Sequence, residues 1–487
     1  MSRSRNIRDQ IVARRRERIA AEGHSLGASV PDERTVPVAP FLSPPGVICE
    51  IKRRSPSRGP IDAGLDPVAL AGRYREAGAR SLSVLTEEDH FAGSLDDLTV
   101  VKQSWPDLAI LRKDFLLDPI DIQISYRAGA DAVLLIAAIL SKDQLFELHE
   151  AATESGMVAL VELHDEDDFE KAALVKPSLV GINARNLATF QVDLLTPIRL
   201  RSRITWPHRC VFESGILHAE DAATVSMNRF EGVLVGEAAV RRPGGVGEII
   251  SSFREPTTIG PVVHPEGTFW SRLMERADAH QNRPLAKVCG ITRREDAELA
   301  VSLGADLLGF MFAKSSRRAG LALLREVSDL CVLKVAIVAG ERGGKIDPEV
   351  AEALRAGLID VVQLHGFESP SECATIAFPY YKVVSIGAPQ DAALIAEYRC
   401  PRVLIDARDP SARGGTGKRI PNELVRAAAD QGPLWLAGGL SPDNIRSVTE
   451  TYRPELVDLS SGLESAPGRK DPQLLRRFFE QLSYSKR

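Results

Sequence analysis

The sequence has no run approaching the ~18–20 consecutive apolar residues that a membrane-crossing helix needs. It also lacks an excess of one charge. Lys and Arg number 61, Asp and Glu 66, and the net charge is −5 over 487 residues. That balance argues against a protein that coats nucleic acid by bulk charge. Cysteines are scarce: Cys49, Cys210, Cys289, Cys331, Cys373 and Cys400. They are too few for a disulfide scaffold, and none shows the C-x₂-C spacing of a structural zinc site. A reducing cytoplasm with free, buried thiols fits this usage, and no metal is suggested.

What is present suits a folded protein of two to four domains: 44% hydrophobic and 26% charged residues. Seven arginines crowd Met1 to Arg18. A transit peptide would be poor in acids, yet Asp9, Glu17 and Glu22 lie in the same stretch. Ile7, Ile11 and Ile19 read as the sparse apolar side of an exposed basic helix.

From Gly46 the chain alternates short β-branched runs with amphipathic segments. The runs are Val47–Arg53, Ser81–Thr86, Ala109–Phe115, Val133–Ile139, Met157–Leu163, Leu179–Arg185, Cys210–Gly215 and Val233–Val240. Helical patterns lie between them, such as Pro67–Ala77, Pro119–Ala128, Ser141–Ser155 and Asp165–Val175. Ser141 and Asp165 stand where a side-chain oxygen would cap free N–H groups. Gly78, Gly129 and Gly156 stand where helices should stop. Residues 256–283 lack a strand and read as a linker with one helix, Ser271–His280. Eight further runs follow: Lys287–Thr292, Leu307–Phe312, Leu333–Val338, Val361–Gly366, Tyr381–Ile386, Val403–Ala407, Leu434–Gly439 and Leu456–Ser461. Strands alternating with helices imply a parallel sheet. Two sets of eight suit two consecutive (β/α)₈ TIM barrels, an α/β fold, over residues 1–255 and 284–487. The second barrel is short and should trim a helix or two. An open doubly wound sheet is the alternative in either half.

In a barrel of this kind active sites form at the C-terminal strand ends. Strand residues alternate between faces, so Glu50 and Lys52 share one. At the third strand end either Arg112 and Asp114 or Lys113 and Phe115 face inward, and alternation alone leaves both open. Glu162 follows an apolar run, where an unpaired carboxylate is costly. Gly215 and Gly236 end the seventh and eighth strands, where backbone N–H groups can approach a phosphate. In the second set, Cys289 stands directly before a glycine, where a thiolate could act as a base. Asp406 caps an apolar run. Residues Gly414–Lys418 look like a phosphate-binding P-loop but fail its pattern, since Ala412 replaces the first glycine and Arg419 follows the lysine.

The ordered motifs EIKRRSPS, SVLTEEDHFAGS, LRKDF, LVELHDE, GINARNL, ESGI and VLVGE closely resemble indole-3-glycerol phosphate synthase, from about Ile7 to Arg254. The resemblance implies Lys113 as general acid, Glu50 and Lys52 as a catalytic pair, and Glu162 as the acid or base of the dehydration. It implies that Asn183 and Glu213 position the substrate and that Arg185 supports the site. Ser55, Ser214, Gly215 and Gly236 would hold phosphate, and Phe91 and Phe115 would line the anthranilate-ring pocket.

From Leu285 onward KVCGIT, GFMF, QLHG, VLIDA, GGTGK, LAGGL and VDLSSGLES are similar to phosphoribosylanthranilate isomerase. By that resemblance Cys289 is the general base and Asp406 the general acid of an Amadori rearrangement. Arg317 would meet the anthranilate carboxylate, and Gly438, Gly439, Ser461 and Gly462 would bind phosphate. The family usually has Ser-Pro-Arg where this chain has Ser315-Ser316-Arg317, and Arg318 stands beside it as a second candidate.

Together the resemblances imply a bifunctional enzyme of tryptophan biosynthesis acting on phosphosugar–anthranilate substrates. It needs no cofactor and is expected to be a cytoplasmic monomer with no nucleic-acid or membrane partner. The histidine-pathway isomerase and cyclase are rivals built on paired aspartates. A tandem barrel kept as a ligand sensor would have lost its acid–base residues.

Overall fold

The computed structural model describes residues 7–55, 59–186, 191–241, 243–255, 268–280, 282–339, 346–373, 375–376, 378–398, 400–407 and 420–482. Contacts divide the chain into two units, Met1–Thr258 and Ile259–Arg487. Each contains a closed barrel of eight parallel strands in sequential order.

The first barrel comprises β1 (Gly46–Ile51), β2 (Ser81–Leu85), β3 (Ala109–Lys113), β4 (Ala132–Ile136), β5 (Val158–Leu163), β6 (Leu179–Asn183), β7 (Arg209–Glu213) and β8 (Gly232–Val235). It closes where β1 pairs with both β8 and β2, with Gly46 opposite Gly232 and Ile48 opposite Ser81. The apolar alternation decides which side chains line the interior. Ile48, Leu111, Leu134, Leu160, Leu179, Val211 and Leu234 form one buried cluster. Glu50, Lys113, Glu162 and Glu213 lie two residues further along the same faces, so they project into the mouth above that apolar floor.

Local chemistry sets the helix limits. Ser141 accepts from Gln144 N, and Gln144 returns a bond to Ser141 N, so a capping box starts the helix Lys142–Glu154. Asp165 caps Glu166–Val175 through Asp168 N. Gly129, at φ 105°, ends Pro119–Ala128 in the left-handed conformation.

The N-terminal helix α1 (Ile7–Glu22) forms as expected, but its basic face is not simply exposed. Ile11 and Arg15 are both buried, one helical turn apart. Arg15 lies 3.3 Å from Asp114 and 3.8 Å from Asp121, and that pairing permits a buried guanidinium.

The second barrel comprises β9 (Leu285–Cys289), β10 (Leu307–Met311), β11 (Leu333–Val338), β12 (Val361–Leu364), β13 (Tyr380–Ile386), β14 (Val403–Ala407), β15 (Trp435–Leu436) and β16 (Leu456–Leu459). Its outward faces, including Ala286, Val288, Leu308, Phe310, Val362, Leu364 and Ile405, pack under the surrounding helices. The opposite parity points Lys287, Cys289, Gln363 and Asp406 inward. Economy of length shows at Pro370–Cys373, a single helical turn, and at Pro389–Glu397, which is a 3₁₀ helix.

Within the expected linker, a helix spans Phe269–Ala279, capped by Thr268. It packs on the second unit: the Trp270 and Trp435 rings are 6.2 Å apart, and Arg272 pairs with Asp360 at 2.6 Å. Residues 256–267 and 281 of that stretch lie outside the described residues. No helix among the described residues is long and apolar enough to cross a membrane.

Candidate active sites

In the first barrel, three strand ends converge on the ammonium carried by a fourth. Lys113 Nζ donates to Glu213 Oε2 at 2.9 Å. It also stands 3.8 Å from Glu50 Oε2 and 3.8 Å from Glu162 Oε2. Lys52 pairs with Glu50 Oε1, closing the ring of charges on the β1 side. The inward set at the third strand is thus Lys113 with Phe115, which packs against the interior cluster. Arg112 takes the outer face and is bound by Thr86, Ser125 and Asp114, at 3.1, 3.0 and 2.8 Å.

Burial makes these charges matter. It would lower Lys113, but the three facing carboxylates outweigh it and hold the ammonium well above its ordinary value. Burial raises Glu213 most. Lys113 draws it back, the Glu162 carboxylate adds to the rise, and the group is pushed up to about 8. Glu162 is also pushed up by burial, but His164 and Lys113 more than offset this and hold it below the carboxylate range. Glu50 is likewise lowered despite burial, by Lys52 and Lys113. One mouth therefore holds a permanent cation, ionised carboxylates and one carboxyl able to carry a proton near neutrality.

His164 has no place in the sequence-level site, yet its Nε2 is 3.1 Å from Glu162 Oε1 and its Nδ1 3.3 Å from Asp168 Oδ2. Burial lowers its pKa, but the two carboxylates push it up to about 10. The signal was local: carboxylates stand two residues before and four after it.

Close backbone approach gives these side chains room. A Cβ on Gly181 would overlap Glu213 Oε1, and one on Gly236 would stand 2.6 Å from Glu50 Oε1. Gly236 therefore borders the Glu50–Lys52 pair. Gly215, at φ 85°, packs instead against Val192 and Leu194, after Ser214 at φ 70°. Asn183 Oδ1 accepts from Arg185 N at 3.0 Å, ordering the loop after β6. Phe91 is half-buried, with its N–H donated to Glu87. Ser55 sits in a two-residue ribbon paired with Gly59.

In the second barrel, Cys289 ends β9 opposite Gly309, where a Cβ would stand 2.8 Å from the sulfur. Lys287, fully buried, donates to Asp458 and Gln363 at 2.6 Å each. Burial pushes the Cys289 thiol up. Lys287 and Lys470 pull it back and Asp458 adds to the rise, leaving it above its ordinary value. Asp406 Oδ1 accepts from Ala407 N at 2.8 Å, and its Oδ2 lies 3.4 Å from His365 Nε2. Gly438, at φ 83°, lets the loop after β15 pass close, since a Cβ there would stand 2.6 Å from Asp406 Oδ1.

Arg317 turns to the barrel rim. Glu464 binds it at two positions, 2.9 and 2.8 Å, and its Cδ would lie 3.0 Å from a Cβ on Gly290. Arg318 is exposed and pairs with Glu349. Gly462 packs so tightly on Leu440 O that a Cβ would overlap it, and Asn444 binds Gly439 O at 2.8 Å. The Gly438–Gly439 and Ser461–Gly462 loops are therefore brought together. Residues Gly414–Lys418 lie outside the described residues, as do Pro56 and Ser57.

Residues 8–248 match the family model for indole-3-glycerol phosphate synthase, and residues 286–481 match that for N-(5'phosphoribosyl)anthranilate (PRA) isomerase. A multifunctional tryptophan biosynthesis protein of Phycomyces blakesleeanus is 33% identical over 496 residues, covering 90% of this chain. This chain spans 63% of that relative's length. The indole-3-glycerol phosphate synthase of Desulfotalea psychrophila is 38% identical over 260 residues, which are 52% of this chain and 99% of that protein. Among solved structures, the phosphoribosyl anthranilate isomerase of Thermus thermophilus is 32% identical, covering 40% of this chain and 97% of its own, with a TM-score of 0.35.

Proposed function

The chain belongs to the indole-3-glycerol phosphate synthase family over residues 8–248 and to the PRA isomerase family over 286–481, and we propose that it carries out both reactions in tryptophan biosynthesis. The C-terminal barrel isomerises N-(5-phosphoribosyl)anthranilate to 1-(2-carboxyphenylamino)-1-deoxyribulose 5-phosphate. The N-terminal barrel closes, decarboxylates and dehydrates that product to indole-3-glycerol phosphate. The convergence of Glu50, Glu162 and Glu213 on Lys113 carries the reading.

For the isomerase, Asp406 gives a proton to the ribose ring oxygen as the C1–O bond opens. Cys289 takes the proton from C2, and the resulting enolamine becomes the ketone when C1 gains a proton and the C2 hydroxyl loses one. For the synthase, the Lys113 ammonium polarises the ketone while an anthranilate ring carbon attacks it. Carbon dioxide leaves, and Glu162 handles the proton lost with water. Glu50 and Lys52 flank the reacting carbons, and Glu213, Asn183 and Arg185 position the substrate. Phe91 and Phe115 enclose its aromatic ring. Ser55, Ser214, Gly215 and Gly236 take the phosphate.

In the second barrel Gly438, Gly439, Ser461 and Gly462 take the phosphate, supported by the contact between their loops. Arg317 rather than Arg318 meets the carboxylate, because Arg317 is half-buried against Gly290, next to Cys289, whereas Arg318 is exposed. The division between the two enzymes falls within 256–267, since Phe269–Ala279 packs on the second unit. The near balance of 61 basic and 66 acidic residues argues against a nucleic-acid partner, free thiols fit a reducing cytoplasm, and the chain is proposed to act as a monomer. Steady-state assays with each substrate test the reading. Turnover of both supports it, and absence of either removes that half.

A further inference from the structure

Gln363 lies on β12, between the Cys289 and Asp406 sides of the second barrel. Two donors reach its Oε1: Lys287 Nζ at 2.6 Å and Tyr381 OH at 2.8 Å. An ammonium has three N–H donors and no acceptor, so the amide atom facing Lys287 must be the oxygen. Lys287 is itself fully buried and held by Asp458 at 2.6 Å. The amide orientation is therefore single. Its NH₂ group points the other way and stands 3.2 Å from His365 Nδ1.

That orientation has a consequence two residues further on. Facing an N–H donor, Nδ1 of a neutral imidazole must be the acceptor, and the ring proton then sits on Nε2. His365 Nε2 is buried, has no hydrogen-bond partner among the described residues, and points at Asp406 Oδ2 from 3.4 Å. The gap is a few tenths of an ångström longer than a formed bond.

We propose that Lys287, Tyr381 and Gln363 form a positioning chain that fixes His365 as its Nε2–H tautomer and so aims a donor at Asp406. This inference rests on the isomerase reading of the second barrel. Its chemical effect is twofold. The Nε2–H cannot accept the carboxylic proton of Asp406, so that proton stays free for the ring oxygen of the substrate. Once it has left, the new carboxylate finds a donor on each oxygen: Ala407 N–H at Oδ1 and His365 Nε2–H at Oδ2. Both bonds strengthen as negative charge develops, so the chain favours turnover over binding. His365, Gln363, Tyr381 and Lys287 are positioning residues, and the proton given to substrate is that of Asp406.

The test is histidine-selective ¹⁵N NMR of the full chain, with the His365 signal assigned by its loss in His365→Gln. The wild-type ring should be protonated at Nε2 and unprotonated at Nδ1. The reverse pattern would overturn the proposal without any assay. In Gln363→Glu an acceptor replaces the donor, so the ring proton should move to Nδ1. Isomerase kcat should then fall about tenfold or more, with KM within about twofold, as loss of a charge-assisted hydrogen bond predicts. An inverted tautomer with unchanged kcat would equally overturn it. Should Gln363→Glu fail to fold, Gln363→Met removes the donor without adding charge, and should give mixed tautomers and a smaller fall in kcat. Unchanged tautomer and kcat in that variant would contradict the chain. If the wild-type protein does not isomerise at all, the functional reading fails, and the wild-type spectrum still decides the tautomer.

Discussion

Lys113 on β3 and Glu213 on β7 meet at 2.9 Å across the mouth of the first barrel, a hundred residues apart in sequence. Without that ammonium Glu213, Glu50 and Glu162 would lose their shared cation. Lys113→Ala is therefore expected to reduce synthase turnover by about 10²–10⁴, the usual contribution of a positioned acid. Isomerase turnover of the same chain should stay at the wild-type value. Parallel loss of both activities would make Lys113 a structural residue.

Gly181→Ala tests the packing behind that pair. The added methyl would overlap Glu213 Oε1, and β6 offers little room to shift between its neighbours β5 and β7. Glu213 must leave its place opposite Lys113, and synthase kcat/KM should drop about tenfold or more while the barrel still folds, since misplacing a substrate-positioning group by about 1 Å can cost that much. Wild-type kinetics in this variant would show that the Glu213 position is immaterial.

His164 makes the stability of the first barrel depend on pH. Glu162 and Asp168 raise its pKa in the fold from 6.5 to about 10. A raised basic group stabilises fully below its unfolded value, and the contribution is lost as pH rises through the folded one. The stability gap between wild type and His164→Gln should thus be widest below pH 6.5 and narrow toward pH 10. Scanning calorimetry at several pH values measures it, and a gap that is flat or widens with pH would contradict the pairing.

The Cys289 thiol lies above its ordinary value through burial, against the pull of Lys287 and Lys470. Only the thiolate can take a proton, so isomerase kcat/KM should climb with pH along a limb above the usual thiol value of about 8.5. The pH profile of the free enzyme decides this. A limb complete by neutral pH would assign the base to another group.

Much of this architecture is legible in the chain because its signals are local. The two sets of eight strands follow from apolar period, and helix starts follow from side chains such as Ser141 and Asp165, whose caps act over three residues. Alternation places Glu50 with Lys52, but it leaves the Lys113 face open. The choice is made by Thr86 and Ser125, which bind Arg112 on the outside and come from distant segments. Arg15 is buried for the same kind of reason, since its partners Asp114 and Asp121 lie about a hundred residues on. His164 is different. Its partners are neighbours in sequence, but a strand-end histidine acquires meaning only once Glu162 is known to face inward. Gln363 and Lys287 share the inward parity of Cys289, yet their contact joins strands 76 residues apart.

Two independent active sites on one chain are tested most directly by the Cys289→Ala protein offered each substrate in turn. It should convert 1-(2-carboxyphenylamino)-1-deoxyribulose 5-phosphate to indole-3-glycerol phosphate at the wild-type rate and fail to consume N-(5-phosphoribosyl)anthranilate. Near-normal consumption of N-(5-phosphoribosyl)anthranilate, or loss of indole-3-glycerol phosphate formation from the ketone, would contradict it.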